Sequence, residues 1–162
     1  MLNALTTLLV TLDPPGLAPV FLGLTAGMTR AQRSQVALRG TLIAFAILAV
    51  FALFGAAVLQ LLGISLGAFR IAGGLLLFWI AFEMIFEKRQ ERKEKTSTIA
   101  ITKDHIHNLA VFPLAIPLIA GPGAISATVL IAGSMQTYLD KAILLAVLAF
   151  TLLVVYLALA IA

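Results

Sequence analysis

The sequence contains no cysteine, which excludes a disulfide framework and a thiolate metal site. Charge is also scarce, because Asp, Glu, Lys and Arg make up 11% of its 162 residues, against about 25% in soluble domains. Apolar residues make up 62%, and the mean hydropathy is +1.11. A soluble domain of this size cannot bury so much apolar surface. We therefore expect a multi-pass membrane protein whose main partner is the lipid bilayer.

The basic residues are confined to the connections between apolar segments. This placement indicates membrane topology and contact with anionic lipid, so we expect no nucleic acid as a partner despite the net charge of +4. Arg70 and Lys141 fall on one side of the membrane and all other basic residues on the opposite side. The positive-inside rule then predicts an N-terminus outside and two basic loops in the cytoplasm. The cytoplasmic basic residues would be Arg30, Arg33, Arg39, Lys88, Arg89, Arg92, Lys93, Lys95 and Lys103.

Several apolar segments are long enough to cross a bilayer core, which takes roughly 20 helical residues. This pattern predicts an all-α polytopic bundle. Residues 87–108 form the only long polar segment, and their mixed charges favour a solvated extension of the third helix followed by a flexible linker at 96–98. The five predicted crossings lie at about 1–27, 41–62, 63–86, 109–134 and 142–162.

The prolines are unevenly distributed along the chain, because all six lie in the first or the fourth crossing. Residues 12–28 align with residues 119–135, which pairs Pro15 with Pro122. If the repeating unit has three crossings, the two copies are inverted in the membrane, which is a transporter architecture. The sequence therefore predicts a first three-helix repeat at 1–86, a cytoplasmic basic loop at 87–108 and an incomplete second repeat at 109–162. The partner of the third crossing would lie beyond residue 162, and the alternative is a natural five-helix form.

The prolines are expected to break both helices. Proline lacks an N–H and clashes with the carbonyl four residues earlier, so Pro15 frees the carbonyl of Thr11 and Pro122 frees that of Leu118. Irregular backbone inside a membrane is tolerated only where protein or a water-filled cavity surrounds it. Asp13 lies midway along the first crossing and Gly121 midway along the fourth. We therefore expect the two breaks to meet near the bilayer midplane, where transporters of this kind bind substrate.

Each break begins a half-helix whose first N–H groups are unpaired and carry the positive end of the helix dipole, which suits a carboxylate. At the first break Asp13 precedes Pro14, a pattern typical of a structural N-cap. An acid inside a membrane is costly, however, so we favour a functional role for Asp13. The second break has Ala120 and Gly121, which bring no competing carboxylate. We expect this half-helix to bind the carboxylate of an amino acid, while Asp13 faces its ammonium group or a coupling cation.

Two other charges lie inside predicted crossings. Glu83 is four residues before Glu87, so we expect it to extend to the cytoplasmic interface. Arg70 either anchors at the outer interface or pairs with a deeper acid. The candidate substrate-binding residues are Thr11, Asp13, Gly16, Leu17, Gly121, Gly123, Ala124 and Ser126, and the coupling candidates are Asp13, Glu83 and Arg70.

Other patterns carry less information. Small residues are expected to serve helix packing more often than substrate contact. They are Gly73, Gly74, Ser126, Thr128, Gly133 and Ser134. The pair His105 and His107 beside Asp104 lacks a further ligand, so we expect no metal and no cofactor other than a coupling proton or sodium ion. The chain has no zinc-protease, P-loop or nucleophile-elbow motif and no paired intramembrane aspartates, so we do not expect an enzyme.

Three segments resemble a known family: LDPPGLAPVFLGLT (12–25), FRIAGGLLLFWIAFEMIF (69–86) and AVFPLAIPLIAGPGAISA (110–127). Together they are similar to the MarC family of bacterial and archaeal integral membrane proteins, distant relatives of the LysE-type amino-acid exporters. The resemblance implies a six-helix inner-membrane protein with an external N-terminus and two three-helix halves. It also implies transport of small neutral amino acids in some members.

The function expected is secondary transport of a small neutral amino acid such as glycine or alanine, coupled to a proton or sodium ion or uncoupled. The alternative is a non-transporting membrane scaffold or assembly protein whose small-residue faces hold partner helices. A channel is disfavoured, because no ring of charge or filter-like loop is present. The sequence leaves the substrate, the direction of transport and formation of a homo-oligomer open.

Overall fold

The computed structural model describes residues 2–86, 88–103, 109–135 and 137–162, with the backbone alone over 96–103. These residues are almost entirely helical, and no strand occurs among them, which confirms the all-α class. One irregular stretch, here named the proline segment, precedes α6. The elements are α1 (Leu2–Leu12), α2 (Pro14–Leu24), α3 (Arg30–Leu61), α4 (Leu66–Ile85), α5 (Lys88–Lys103), the proline segment (Ala110–Ile119), α6 (Pro122–Ala132) and α7 (Tyr138–Ile161).

Four helical stretches are long and apolar enough to cross a membrane, with α1 and α2 together forming the first. The proline segment and α6 form a fifth span if the two are taken together, with a bend of 59° between them. The multi-span helical architecture predicted from the sequence is therefore confirmed for the described residues. The inverted orientation of the two halves and the sixth helix stay predictions.

Capping residues explain where two helices begin. The predicted second crossing started at residue 41, but α3 begins at Arg30, because Thr29 and Gln32 form a reciprocal capping box. The basic residues assigned to a loop there are part of the helix, whose 32 residues span about 48 Å at 1.5 Å per residue. Likewise α7 begins at Tyr138, ahead of the predicted residue 142, because Thr137 and Asp140 cap it.

The core lies between the long framework helices and the broken ones. α3 packs along α7, and both also contact the interrupted helices, with α1 on α6 and α7, and α2 on α7. Leu8, Leu12, Phe21, Leu48 and Leu148 are essentially inaccessible in this core. The broken helices are therefore supported by rigid neighbours.

The polar segment behaves differently from the prediction. α5 is not a solvated extension of the third helix, because it turns at Phe86 and packs against α2, α4 and the proline segment. Its helical backbone also continues through 96–98, where a linker was predicted. The reason for the difference lies in two of its side chains, Arg89 and Lys93, which are buried at the first helix break.

Candidate functional site

The first break is centred on Asp13, which has φ 54° and ψ 66°. This left-handed conformation is uncommon outside glycine, but Asp adopts it more readily than most residues. Its Oδ1 accepts a hydrogen bond from the Gly16 N–H at 3.1 Å, and its carbonyl accepts one from the Leu17 N–H at 3.0 Å. Asp13 is therefore the N-cap of α2, and the donors at this break are satisfied by the chain itself.

Two cations of α5 complete the first break. Lys93 Nζ lies 2.7 Å from Asp13 Oδ2, and the two side chains are 8% and 18% exposed. Arg89 Nη2 donates to the carbonyl of Thr11, which Pro15 leaves without a helical partner. Burial lowers the pKa of Lys93 and of Arg89 from their ordinary values, and the negative charge of Asp13 acts in the opposite direction.

The second break, between the proline segment and α6, has no such closure. Gly121 is the N-cap of α6, and no side chain caps this end. The Ile125 N–H bonds to the Gly121 carbonyl at 3.0 Å, which leaves the preceding N–H groups of Gly123 and Ala124 outside the helical pattern. Upstream, Phe112 and Ile116 have extended backbone, as expected for residues that precede proline.

The two breaks meet, as predicted, around a cavity of about 170 Å³, here named the central cavity. Gly123 permits this approach, because a Cβ at that position would collide with Ile80 and lie 3.4 Å from Thr11 Cγ2. The cavity combines polar and apolar walls. Its lining residues are Thr11, Leu76, Ile80, Arg89, Arg92, Lys93, Pro117, Leu118, Ile119, Gly121, Pro122, Gly123 and Ala124.

Half of the candidate substrate-binding residues line this cavity: Thr11, Gly121, Gly123 and Ala124. Two more, Asp13 and Gly16, lie beside it. Asp13 borders it through Lys93, and Gly16 lies against the Asp13 carboxylate.

Leu17 and Ser126 are packing residues. Leu17 has no exposed surface and belongs to the core. Ser126 lies on the side of α6 that packs against Gly73 of α4, where a glycine Cβ would be 3.7 Å from Ser126 Cβ. The helical turn carries each of these two side chains away from the cavity.

The charged candidates have different surroundings. Glu83 is buried instead of reaching an exposed interface, because α5 folds over it and brings Arg92 Nη2 to 2.9 Å from Glu83 Oε2, at ion-pair distance but without hydrogen-bond geometry. Arg70 is exposed on α4 and is not among the residues that line the cavity. The histidine pair at 105 and 107 and Asp104 lie outside the described residues. No group of metal-binding side chains occurs in the rest of the chain that the structure describes.

Sequence reasoning did not identify Arg89, Arg92 and Lys93 as site residues. Their charged neighbours favoured a solvated helix. The spacing of these three basic residues was the sequence signal that could have identified them. Residues three or four apart share a helix face, so Arg89, Arg92 and Lys93 form a basic stripe on α5. Arg89 and Lys93 are buried, whereas Lys88, Glu91 and Lys95 are exposed. The stripe faces the first break and the central cavity.

Apolar helices of spanning length, interrupted at Asp13 and at Gly121 around a small charged cavity, define a multi-span α-helical integral membrane protein. The chain belongs to the MarC family of integral membrane proteins, which residues 1–162 match over their whole length. The family resemblance of the three sequence segments is thereby confirmed.

Relatives in archaea and bacteria are described as UPF0056 membrane proteins. Two from Methanocaldococcus jannaschii are 37% and 38% identical over 137 and 156 residues, which cover 85% and 96% of this chain and 60% and 75% of theirs. One from Escherichia coli is 41% identical over 126 residues, covering 75% of this chain and 56% of its own. The chain thus spans a little over half the length of several relatives. No solved structure matches it.

Proposed function

We propose that this protein is a secondary transporter of small neutral amino acids, with the central cavity as its substrate site. The observation that carries the proposal is the meeting of two helix breaks around that cavity. Discontinuous helices that meet inside a helical bundle are a recurring way of building a transport site, because they supply backbone groups free of helical bonding.

The size of the cavity supports a small substrate. Its volume of about 170 Å³ is below the roughly 300–1,000 Å³ of pockets that hold drug-sized ligands. Its apolar wall, which includes Leu76 and Ile80, suits a short side chain such as that of alanine. The cavity is therefore a poor match for a bulky drug and a good match for glycine or alanine.

The ion pair between Lys93 and Asp13 gives the proposal a mechanism. Lys93 presents to Asp13 the same group that an amino acid would, an ammonium ion. On substrate entry, the ammonium group of the amino acid replaces Lys93 on the Asp13 carboxylate. The end of α5 that carries Lys93 then moves away from the break, while Arg89, one turn earlier, stays at the cavity. A proton or sodium ion that binds Asp13 competes for the same carboxylate, so Asp13 serves as the coupling residue in this proposal.

A second cavity supports this view of α5 as the moving part. It measures about 450 Å³ and is lined by Asp13, Met84 and four residues of α5, among them Arg89. Arg89 lines both cavities. Movement of the Lys93 end of α5 would connect the two and open a path from the central cavity. The positive-inside rule directs that path toward the cytoplasm.

Uptake of labelled glycine and alanine into proteoliposomes of the full-length protein tests the proposal. We expect saturable uptake that responds to an imposed proton or sodium gradient if the transport is coupled, and that is lost in Asp13→Asn. Gly74→Leu is a suitable control, because a Cβ at Gly74 meets nothing within 4 Å. Absence of flux for both amino acids from folded protein would contradict the proposal and favour the scaffold alternative.

A further inference from the structure

Arg89 is a buried cation with incomplete bonding. Its Nη2 donates to the Thr11 carbonyl, but its Nη1 has no hydrogen-bond partner in the described part of the chain, although the residue is only 9% exposed. A guanidinium carries five N–H donors in a fixed fork, and leaving such donors buried and unpaired is costly. Because Arg89 lines the central cavity, an acceptor bound there would satisfy it.

The first turn of α6 brings further unused donors to the same cavity. Gly123 and Ala124 line it, and no side chain caps their end of the helix. The 11 residues of α6 align their peptide dipoles toward this end, which favours a negative charge beside the free N–H groups. The cavity therefore has donors on two walls, a guanidinium from α5 and backbone amides from α6.

The charges around the cavity indicate the sign and size of the missing partner. No Asp or Glu occurs among the residues that line the central cavity. The two nearby acids are already engaged, Asp13 by Lys93 and Glu83 by Arg92. The positive charge of Arg89 is thus left without a carboxylate of its own, and a ligand with a single negative charge would balance it.

We propose that Arg89 Nη1 and the backbone amides of Gly123 and Ala124 bind the carboxylate of the substrate, with Arg89 as a specificity-determining residue. A carboxylate carries one negative charge and accepts strong hydrogen bonds from both guanidinium and backbone N–H groups. The assignment rests on the proposed function only in calling the ligand a substrate, since the site would bind a short carboxylate whether or not it is transported.

A single-cysteine reporter on the opposite wall tests this site. Leu76 lines the cavity without taking part in the proposed binding, and the chain has no native cysteine. In the full-length protein, we would measure the rate at which N-ethylmaleimide modifies Leu76→Cys. The ligands are sodium acetate, glycine and ethylammonium chloride, with sodium chloride at the same ionic strength as the control.

We expect acetate and glycine to slow the modification and chloride to leave it unchanged. Ethylammonium, which has no carboxylate, should give no protection that depends on Arg89. Arg89→Gln in the reporter background should raise the concentration of acetate needed for half-protection by about tenfold or more, because one charge-assisted contact is lost. Arg30→Gln removes an exposed cation of α3 that does not line the cavity, and should not change it. If Arg89→Gln fails to fold, Arg89→Lys provides the test, since it keeps the charge, loses the fork and should weaken protection by acetate as well.

Equal protection by acetate with and without Arg89, or equal protection by chloride, would overturn the assignment. These results are distinguishable from failure of the proposed function. Glycine uptake without Arg89-dependent protection would remove the carboxylate site and leave transport standing. Protection by acetate that depends on Arg89, without any uptake of glycine, would support the carboxylate site and contradict the transport of glycine.

Discussion

The two helix breaks share one sequence pattern, but only the first is capped by a side chain. Each places a proline at the first turn of an 11-residue helix, α2 after Asp13 and α6 after Gly121. At the first break, Asp13 caps α2, Lys93 pairs with the Asp13 carboxylate, and Arg89 donates to the Thr11 carbonyl. At the second, no side chain caps the helix.

We infer from this difference that the N-terminus of a broken helix is open to an anion from outside only where the chain has not already capped it. A carboxylate at the cap position satisfies the helix N-terminus from within and attracts a cation. A glycine at the same position leaves the N–H groups to something from outside. In our proposal, one break therefore holds a charged contact that a substrate exchanges, and the other holds the site for its carboxylate.

The largest effect is expected from filling the space between the breaks. Gly123→Leu places a branched side chain where even a Cβ would collide with Ile80 and touch Thr11. Glycine binding and uptake should fall by at least about a hundredfold, beyond about 2.7 kcal/mol. Gly74→Leu, in open surroundings on α4, should retain the wild-type value in the same proteoliposome assay. Normal uptake by Gly123→Leu would show that the central cavity is not the substrate site.

The closure of the first break is tested by removing its cation. Lys93→Gln leaves the Asp13 carboxylate, 18% exposed, without its ion-pair partner and should lower the free energy of unfolding by about 3 kcal/mol. The matched control is Lys88→Gln on the exposed side of α5, which should change it by less than about 0.5 kcal/mol. Denaturation of the purified protein followed by circular dichroism measures both. Equal stability of the two variants would show that α5 does not hold the break.

The cap at the first break can be separated from its charge. Asp13→Asn keeps a side-chain oxygen for the Gly16 N–H and a residue that tolerates φ 54°, whereas Asp13→Ala has neither. Both variants lose the ion pair with Lys93, so their difference isolates the cap and the backbone conformation. We expect Asp13→Ala to be less stable than Asp13→Asn by about 2 kcal/mol in the same denaturation experiment. Identical curves would contradict the capping role.

The smallest effect is expected at the second contact of α5. Glu83→Gln removes one ion-pair partner of Arg92, but the Arg92 side chain is 53% exposed and can be solvated by water or lipid headgroups. The loss in unfolding free energy should stay within about 1 kcal/mol. A loss as large as that of Lys93→Gln would mean that α5 is held at both ends, and would weaken the contrast between the two breaks.

The sequence predicted the parts of the fold that depend on local chemistry. Hydropathy indicated the spans, and proline and glycine located the breaks at Asp13 and Gly121, because these residues act on their own backbone. The meeting of the two breaks was also predicted, from their equal depth along the spans. Leu17 and Ser126 do not line the central cavity, because the direction of a side chain depends on the exact helical register after each break.

The course of α5 could not be predicted, because its charges are compatible with two environments. Arg89 and Lys93 favour water by composition, and only the free carbonyl of Thr11 and the Asp13 carboxylate make burial favourable. That is a contact between residues about 80 positions apart along the chain, as in the pair of Lys93 with Asp13. Local pattern carries no information on such a pairing.

The central claim is that a bound amino acid replaces Lys93 on Asp13 and releases the Lys93 end of α5. Spin labels at Val10→Cys and Lys95→Cys, both exposed positions on α1 and α5, would measure this directly by the distance between them in the full-length protein. We predict that saturating glycine shifts the distance distribution to longer values, and that ethanol at the same concentration leaves it unchanged. An unchanged distribution with glycine bound would contradict the account.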